Sequence, residues 1–250
     1  MPTLGTLDIR QWAAGGGVST FDPWDGEAWV LKNAELFTVS LEIQPGGRAL
    51  LPPGMHPSVP MYVVFSFGKF AESPVGSFSI AQVLISGRVG IRPRGFVLKT
   101  LVSSEAARRE LTARWGYPAA EGEAKIISRH DRVRAEAWAG GALIAQCEMT
   151  DREPVEGADM EPLASTHLAR NAADGNLVLI QVEPAYEYGK AERGRPRVLS
   201  FNQAAWRMGG HVQLNQGIVA VYSRCDMALP PPRFIMDPER PSSQMPWAAA

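Results

Sequence analysis

Phe37-Thr38-Val39-Ser40-Leu41-Glu42-Ile43 alternates apolar and polar residues without a break. That period of two is the mark of a strand with one buried face. Working outward, Met61–Phe67, Phe78–Ile85 and Phe96–Val102 are almost wholly apolar. Further strand-like runs cover Lys125–Ile127, Val133–Trp138, Ala142–Met149, Leu177–Val182, Arg197–Phe201 and Gly217–Tyr222. Turn residues separate them at Pro52-Pro53-Gly54, Ser86-Gly87, Gly140-Gly141, Asp174-Gly175-Asn176 and Gly194-Arg195-Pro196. Many strands with few helices predict a mainly β (α+β) chain. Its antiparallel sheet should be closed or nearly closed, so that its edges are protected.

One helix stands out. Ser103-Ser104 can cap Glu105 to Arg114, a run rich in helix formers, and Trp115-Gly116-Tyr117-Pro118 ends it. A second, weaker helix is expected over Leu163–Ala172. Residues 1–35, with Gly15-Gly16-Gly17 and Trp12, Trp24 and Trp29, read as a loop-rich arm pinned by aromatic anchors. Residues 36–228 then form the β domain. Residues 229–250 form a Pro-rich tail (Pro230, Pro231, Pro232, Pro238, Pro241, Pro246), expected to be extended and able to wrap a neighbouring subunit.

Composition narrows the function. Of 250 residues, 45% are apolar and 20% charged, and the formal charge is -1, which argues against the basic stripe of a nucleic-acid-binding protein. No apolar run is long enough for a membrane helix, and the N-terminus shows no signal-peptide pattern, so a cytoplasmic protein without membrane partners is expected. Cys147 and Cys225 are the only cysteines; two buried free thiols are the expected state. His56, His130, His167 and His211 are too scattered for a zinc site, and no cofactor motif is present. Gly15-Gly16-Gly17 lacks the Gly-Lys-Ser/Thr of a phosphate loop, and no serine sits in a Gly-x-Ser-x-Gly elbow.

Arg109-Glu110-Leu111 followed by Trp115-Gly116-Tyr117-Pro118 resembles the acetoacetate decarboxylase signature, in which an Arg-Glu helix end leads to an aromatic-Pro-Lys-Lys turn. Leu51-Pro52-Pro53-Gly54 and Gly194-Arg195-Pro196-Arg197 resemble two other family segments in compatible order, so the similarity runs from about Leu36 to Tyr222. The resemblance implies a cone-shaped antiparallel β-barrel flanked by a few helices, with an apolar interior pocket for a small molecule, in a homo-oligomer. It does not carry the family's chemistry. The Schiff-base lysine and the neighbour that lowers its pKa fall on Ala119 and Ala120, and a methyl group forms no imine. The two family carboxylates fall near Ser66 and Ile80, and the substrate-binding arginine near Ala34.

Other residues are therefore candidates. Lys99 is the odd residue of Phe96–Val102; facing the interior it would be a relocated, desolvated amine, facing outward a solvated strand-end lysine. Lys125 follows the signature turn and is read either as a barrel-rim lysine or as a solvated lysine starting a strand. Gln82 and Ser66, polar among apolar neighbours, could meet a substrate carbonyl or a protein partner. Gln181 and Glu183 share a strand face. On the resemblance, Trp115 and Tyr117 line the cavity, with Tyr62, Ile80 and Ala119 beside them. Arg109 and Glu110 either touch the substrate or pair to fix the turn. His56 is a loop residue, Arg129–Arg134 a charged hairpin, and Cys147 a core residue.

The expected activity follows. An apolar pocket without its amine would bind a polyketide-like or keto-acid substrate and promote cyclisation, dehydration or isomerisation in secondary metabolism, without a cofactor. Gln82 and Tyr117 would polarise the substrate, with Lys99 as a further catalytic candidate. The alternatives are a non-catalytic binding protein, or a decarboxylase or aldolase that has moved its amine to Lys99.

Overall fold

The computed structural model describes residues 3–232 and 234–241. In chain order the elements are α1 (Ile9–Ala14), β1 (Ser19–Phe21), β2 (Trp29–Ile43), β3 (His56–Pro57), β4 (Tyr62–Glu72), β5 (Phe78–Val89), β6 (Arg92–Val102) and α2 (Glu105–Trp115). There follow β7 (Ala119–Glu121), β8 (Glu123–Ser128), β9 (Val133–Ala139), β10 (Ala142–Pro154), β11 (Ser165–Asn171), β12 (Leu177–Val182), β13 (Ala185–Phe201), β14 (Leu214–Leu229) and β15 (Phe234–Met236). The chain is mainly β, as its alternation and turn residues imply.

All the strands join one sheet, whose main path runs β15-β12-β11-β6-β5-β4-β2-β14-β13-β10-β9-β8. Its pairings are antiparallel except β1–β11, β11–β6 and β7–β6. The far end folds back on the middle. β7 pairs with β6 two residues before β8 begins, and the Ala124 amide of β8 donates to Ser79 Oγ of β5 at 2.9 Å. Inside the curl, Phe37, Val63, Phe65 and Val83 share one core with Ala124, Val133, Ala135 and Cys147. This interior is filled, and Trp206, 1% exposed, closes it.

The other face of the sheet carries a second core, covered by β1, α2, β11 and β12. α2 forms where its sequence predicts. Ser104 caps it, and Gly116 ends it at φ 69°. Gly116 N–H and Tyr117 N–H close back on the Thr112 and Leu111 carbonyls, a Schellman-type ending that only a left-handed residue allows cheaply. Ala107, Leu111 and Trp115, spaced by four, face the sheet.

Several expectations are corrected. Residues 163–172 form no helix. Ser165–Asn171 is β11, whose His167 and Leu168 are buried between β6 and β12, so tertiary burial overrides a weak helical pattern. Ser86-Gly87 lies inside β5 and Gly194-Arg195-Pro196 inside β13; the β5–β6 turn is at Gly90-Ile91. β2 runs across the expected 35/36 boundary, and a short helix, α1, capped by Asp8, interrupts the arm. Trp24 and Trp29 do anchor it, packing edge-on against Trp115 at 5.3 and 5.0 Å. In the tail, β15 pairs with β12 of the same chain, and Pro246 lies outside the described residues. Both cysteines are free and buried.

Candidate functional site

The strict alternation in β2 has a consequence its pattern does not announce. Phe37, Val39 and Leu41 enter the filled core, while Leu36, Thr38 and Ser40 face a cavity of about 700 Å³ on the opposite side of the sheet. The same parity holds in β4 (Val64, Ser66, Gly68) and β5 (Ile80, Gln82, Leu84). The hollow thus lies on the face of the sheet opposite the filled core, lined by β2, β4, β5, β13 and β14 and faced by Leu111 of α2, Tyr117, Ser165 of β11 and residues 155 and 159–163.

Strand register sorts this floor into rows. Thr38 pairs with Ser66, Ser66 with Gln82, and Gln82 with Thr100, a polar row crossing four strands. Leu36, Gly68 and Ile80 form the row on one side; Ser40, Val64 and Leu84 form that on the other. Gln82 Nε2 donates to the buried Thr100 Oγ1 at 3.0 Å, which holds the amide in place. Ser66 and Thr38 make no side-chain hydrogen bond with the described residues, so their hydroxyls are available to whatever fills the cavity. At Gly68 a side chain would meet Ile80 Cγ2 at 2.9 Å; the absent Cβ keeps the floor open.

The opposite wall is built by the Schellman turn. It turns the chain so that Tyr117 follows the helix end and lies over the cavity, where its hydroxyl hydrogen-bonds Ser165 Oγ at 2.9 Å. Ser19 Oγ donates to the Tyr117 carbonyl at 2.8 Å and fixes its backbone. Burial pushes the Tyr117 phenol up to about 12, opposed by the Ser165 hydrogen bond. The phenol therefore keeps its proton at neutral pH. Behind it, the His167 ring stacks on Tyr117 at 4.4 Å and 27°. His167 Nε2 lies 2.7 Å from the Trp115 carbonyl, which can only accept, so Nε2 carries the proton. His167 Nδ1 is buried with no partner. Burial lowers the imidazole to about 4, partly offset by the bond to Trp115, so the ring is neutral.

Tyr186 and Tyr188, stacked at 5.6 Å, and Ser223 complete the inner lining. Burial raises both phenols, so these groups are neutral as well. Charge appears only among exposed lining residues. Asp159 and Glu161 lie on the Val155–Leu163 segment, and Arg193 pairs with Glu153 at 3.5 Å.

Of the residues singled out in the sequence, the structure brings Tyr62, Ser66, Ile80, Gln82 and Tyr117 together on this cavity. The others are elsewhere. Lys99 does not line it; its Nζ donates to the Ala205 carbonyl at 2.9 Å, and burial and then Arg207 lower its pKa. Lys99 thus supplies no amine to this cavity. Arg109 is exposed, and Glu110 pairs with Arg114 at 2.7 Å, because both lie off the inward 107–111–115 stripe of α2. Trp115 is fully buried and donates to the Pro230 carbonyl at 2.7 Å, an anchor rather than a lining residue. Ala119 pairs with Thr100, at the end of the polar row, and packs on the cavity-side core without lining the cavity. Ala34 is buried and does not line the cavity. Arg94 engages both Gln181, at 3.0 Å, and Glu183. Lys125 is exposed beside Glu123.

Sequence reasoning missed Thr38, Ser40, Ser165, Tyr186 and Tyr188. Thr38 and Ser40 were legible as the polar half of β2, but cavity and solvent leave the same pattern. Ser165 was hidden by reading its segment as helix.

No protein-family model and no curated protein sequence matches the chain. Solved structures do. An acetoacetate decarboxylase from Legionella pneumophila superposes with a TM-score of 0.72 at 19% identity, over 85% of this chain and 88% of that one. The enduracididine biosynthesis enzyme MppR, complexed with the condensation product of pyruvate and imidazole 4-carboxaldehyde, gives 0.66 at 14% identity, over 82% and 88%. An acetoacetate decarboxylase-like enzyme from Sphingomonas wittichii RW1 gives 0.62 at 17% identity, over 83% and 95%. The chain has the acetoacetate decarboxylase-like fold. Among the described residues, no helix is long and apolar enough to cross a membrane.

Proposed function

We propose that the chain is an enzyme that binds a flexible, largely apolar carbonyl compound of polyketide-like chemistry. It promotes cyclisation, dehydration or isomerisation without forming an imine. One observation carries this reading: a cavity of about 700 Å³, on a fold shared with acetoacetate decarboxylases, whose inner polar groups are hydroxyls and one carboxamide. On the sequence resemblance, the position of the Schiff-base lysine falls on Ala119. The likeness to MppR supports a biosynthetic role, since that protein was captured with a condensation product of two carbonyl compounds.

The residues suggest how such a cavity acts. Folding a flexible chain into a reactive shape can supply up to about 7–11 kcal/mol of the barrier. A preorganised donor at a developing oxyanion adds roughly 3 kcal/mol. Tyr117 suits that second role because it stays protonated. In an aldol cyclisation, the enol carbon attacks the second carbonyl, a C–C bond forms, and the carbonyl oxygen takes the Tyr117 proton. Ser165 reprotonates Tyr117, and the enol hydroxyl returns a proton to Ser165. Atoms and charges balance for a substrate that reacts as its enol, and the β-hydroxyketone so formed then loses an α-proton and its hydroxyl as water to give the enone.

The test is turnover of 2,6-undecanedione to its cyclic enone, followed by absorbance and by loss of one water in the product mass. The expected rate exceeds the protein-free rate and falls at least about tenfold in Tyr117→Phe. Borohydride with levulinate should leave the protein mass unchanged. A trapped adduct, or full turnover in both Tyr117→Phe and Gln82→Ala, overturns the proposal. The neutrality of every inner group favours a second reading, a binding protein, and saturable binding without turnover would establish it.

A further inference from the structure

Besides the phenols of Tyr62, Tyr186 and Tyr188 and the hydroxyls of Ser40 and Ser223, two linked sets of polar groups line the cavity and act as stations. One is the Tyr117–Ser165 hydroxyl pair on the wall. The other is the row Thr38–Ser66–Gln82 on the floor. Beyond the row, Leu31, Phe70, Phe78 and Met227 make an apolar end. Polar groups facing an apolar space need partners, and Ser66 and Thr38 find none among the described side chains. A ligand that satisfies both stations carries two hydrogen-bonding groups and an apolar tail.

Charge narrows the ligand further. Within the described lining, the one cationic side chain is Arg193, which is exposed and paired with Glu153. Asp159 and Glu161, both exposed on the lining, add negative rather than positive charge. A carboxylate carried to either station would find only neutral hydroxyls and one carboxamide as partners, with no cation to offset its desolvation, a costly burial. We infer that the ligand is an uncharged dicarbonyl or oxo-ester with an apolar tail, not a free keto acid. This rests on the cavity being the working site, and it deepens that reading by naming the substrate class.

The experiment compares three probes by calorimetry at pH 7.5: methyl 4-oxodecanoate, 4-oxodecanoate and 4-decanone. The ester should bind at least about thirtyfold more tightly than the acid, from the cost of an unpaired buried carboxylate. It should also exceed the single-carbonyl ketone by about five- to tenfold, the worth of a hydrogen bond to the second station. Ser66→Ala and Thr38→Val, which keep shape and remove hydroxyls, should bring the ester's affinity down to about that of the ketone. Ser66→Lys, if it folds, should favour the acid. Equal or tighter binding of the acid by the unmodified protein overturns the inference and leaves the catalytic proposal standing. Ester preference without turnover of any neutral carbonyl keeps the inference and ends the catalytic proposal. Failure of all three probes to bind removes both.

Discussion

The Tyr117–Ser165 pair can be tested without knowing the substrate. Tyr117 is 6% exposed and Ser165 7%, and their hydroxyls meet at 2.9 Å. Tyr117→Phe removes one oxygen and strands the other in a buried place, which costs about 1–3 kcal/mol. Ser165→Ala does the same to the Tyr117 hydroxyl. Removing both leaves nothing unpaired, so the double variant should be little worse than either single one. The cycle should therefore give a coupling energy of about 1–2 kcal/mol. Urea unfolding followed by tryptophan fluorescence reads this directly, provided the slope with denaturant is unchanged across the four proteins. Additive losses, with coupling below about 0.3 kcal/mol, would mean that the two hydroxyls do not act as one station.

The buried imidazole gives a pH prediction. His167 is lowered to about 4 from the usual 6.5, so the unfolded chain takes up a proton that the folded one refuses. Stability is whole above pH 6.5 and falls as pH drops towards 4, by roughly 3 kcal/mol, a component that His167→Phe should abolish in melting curves at stepped pH. Gly116→Ala places a methyl group at φ 69° and within 2.7 Å of Ala169 Cβ and Ile180 Cδ1. Strain plus overpacking should cost about 2–4 kcal/mol by urea unfolding, and a loss under about 0.5 kcal/mol would contradict the turn described here.

Local chemistry explains which features were legible in sequence. Ser104, the 107–111–115 stripe and Gly116 act within one helix, so α2 and its exit could be read directly. The runs in β4, β5 and β6 were visible because apolar residues on both faces leave an unbroken hydrophobic signature. What could not be read was which covering lies over each face. Thr38 pairs with a cavity and Glu42 is merely half-buried, yet both look polar in the pattern. β11 was misread because its strand state depends on pairing with β6 and β12, distant in sequence. The motif residues Arg109, Glu110 and Trp115 lie at and before the turn that places Tyr117, and none of them lines the cavity. Lys99 was suspicious for good reason, a lysine in a greasy strand, and its bond to the Ala205 carbonyl accounts for it.

Because neighbouring residues of β2, β4 and β5 point to opposite sides, stability and selectivity are written in interleaved positions of the same strands. Substitution at 38, 66 or 82 can change what is held while 37, 65 and 83 keep the protein folded. An architecture divided in this way can lose one chemistry and take up another by small steps, each of which leaves the interior untouched.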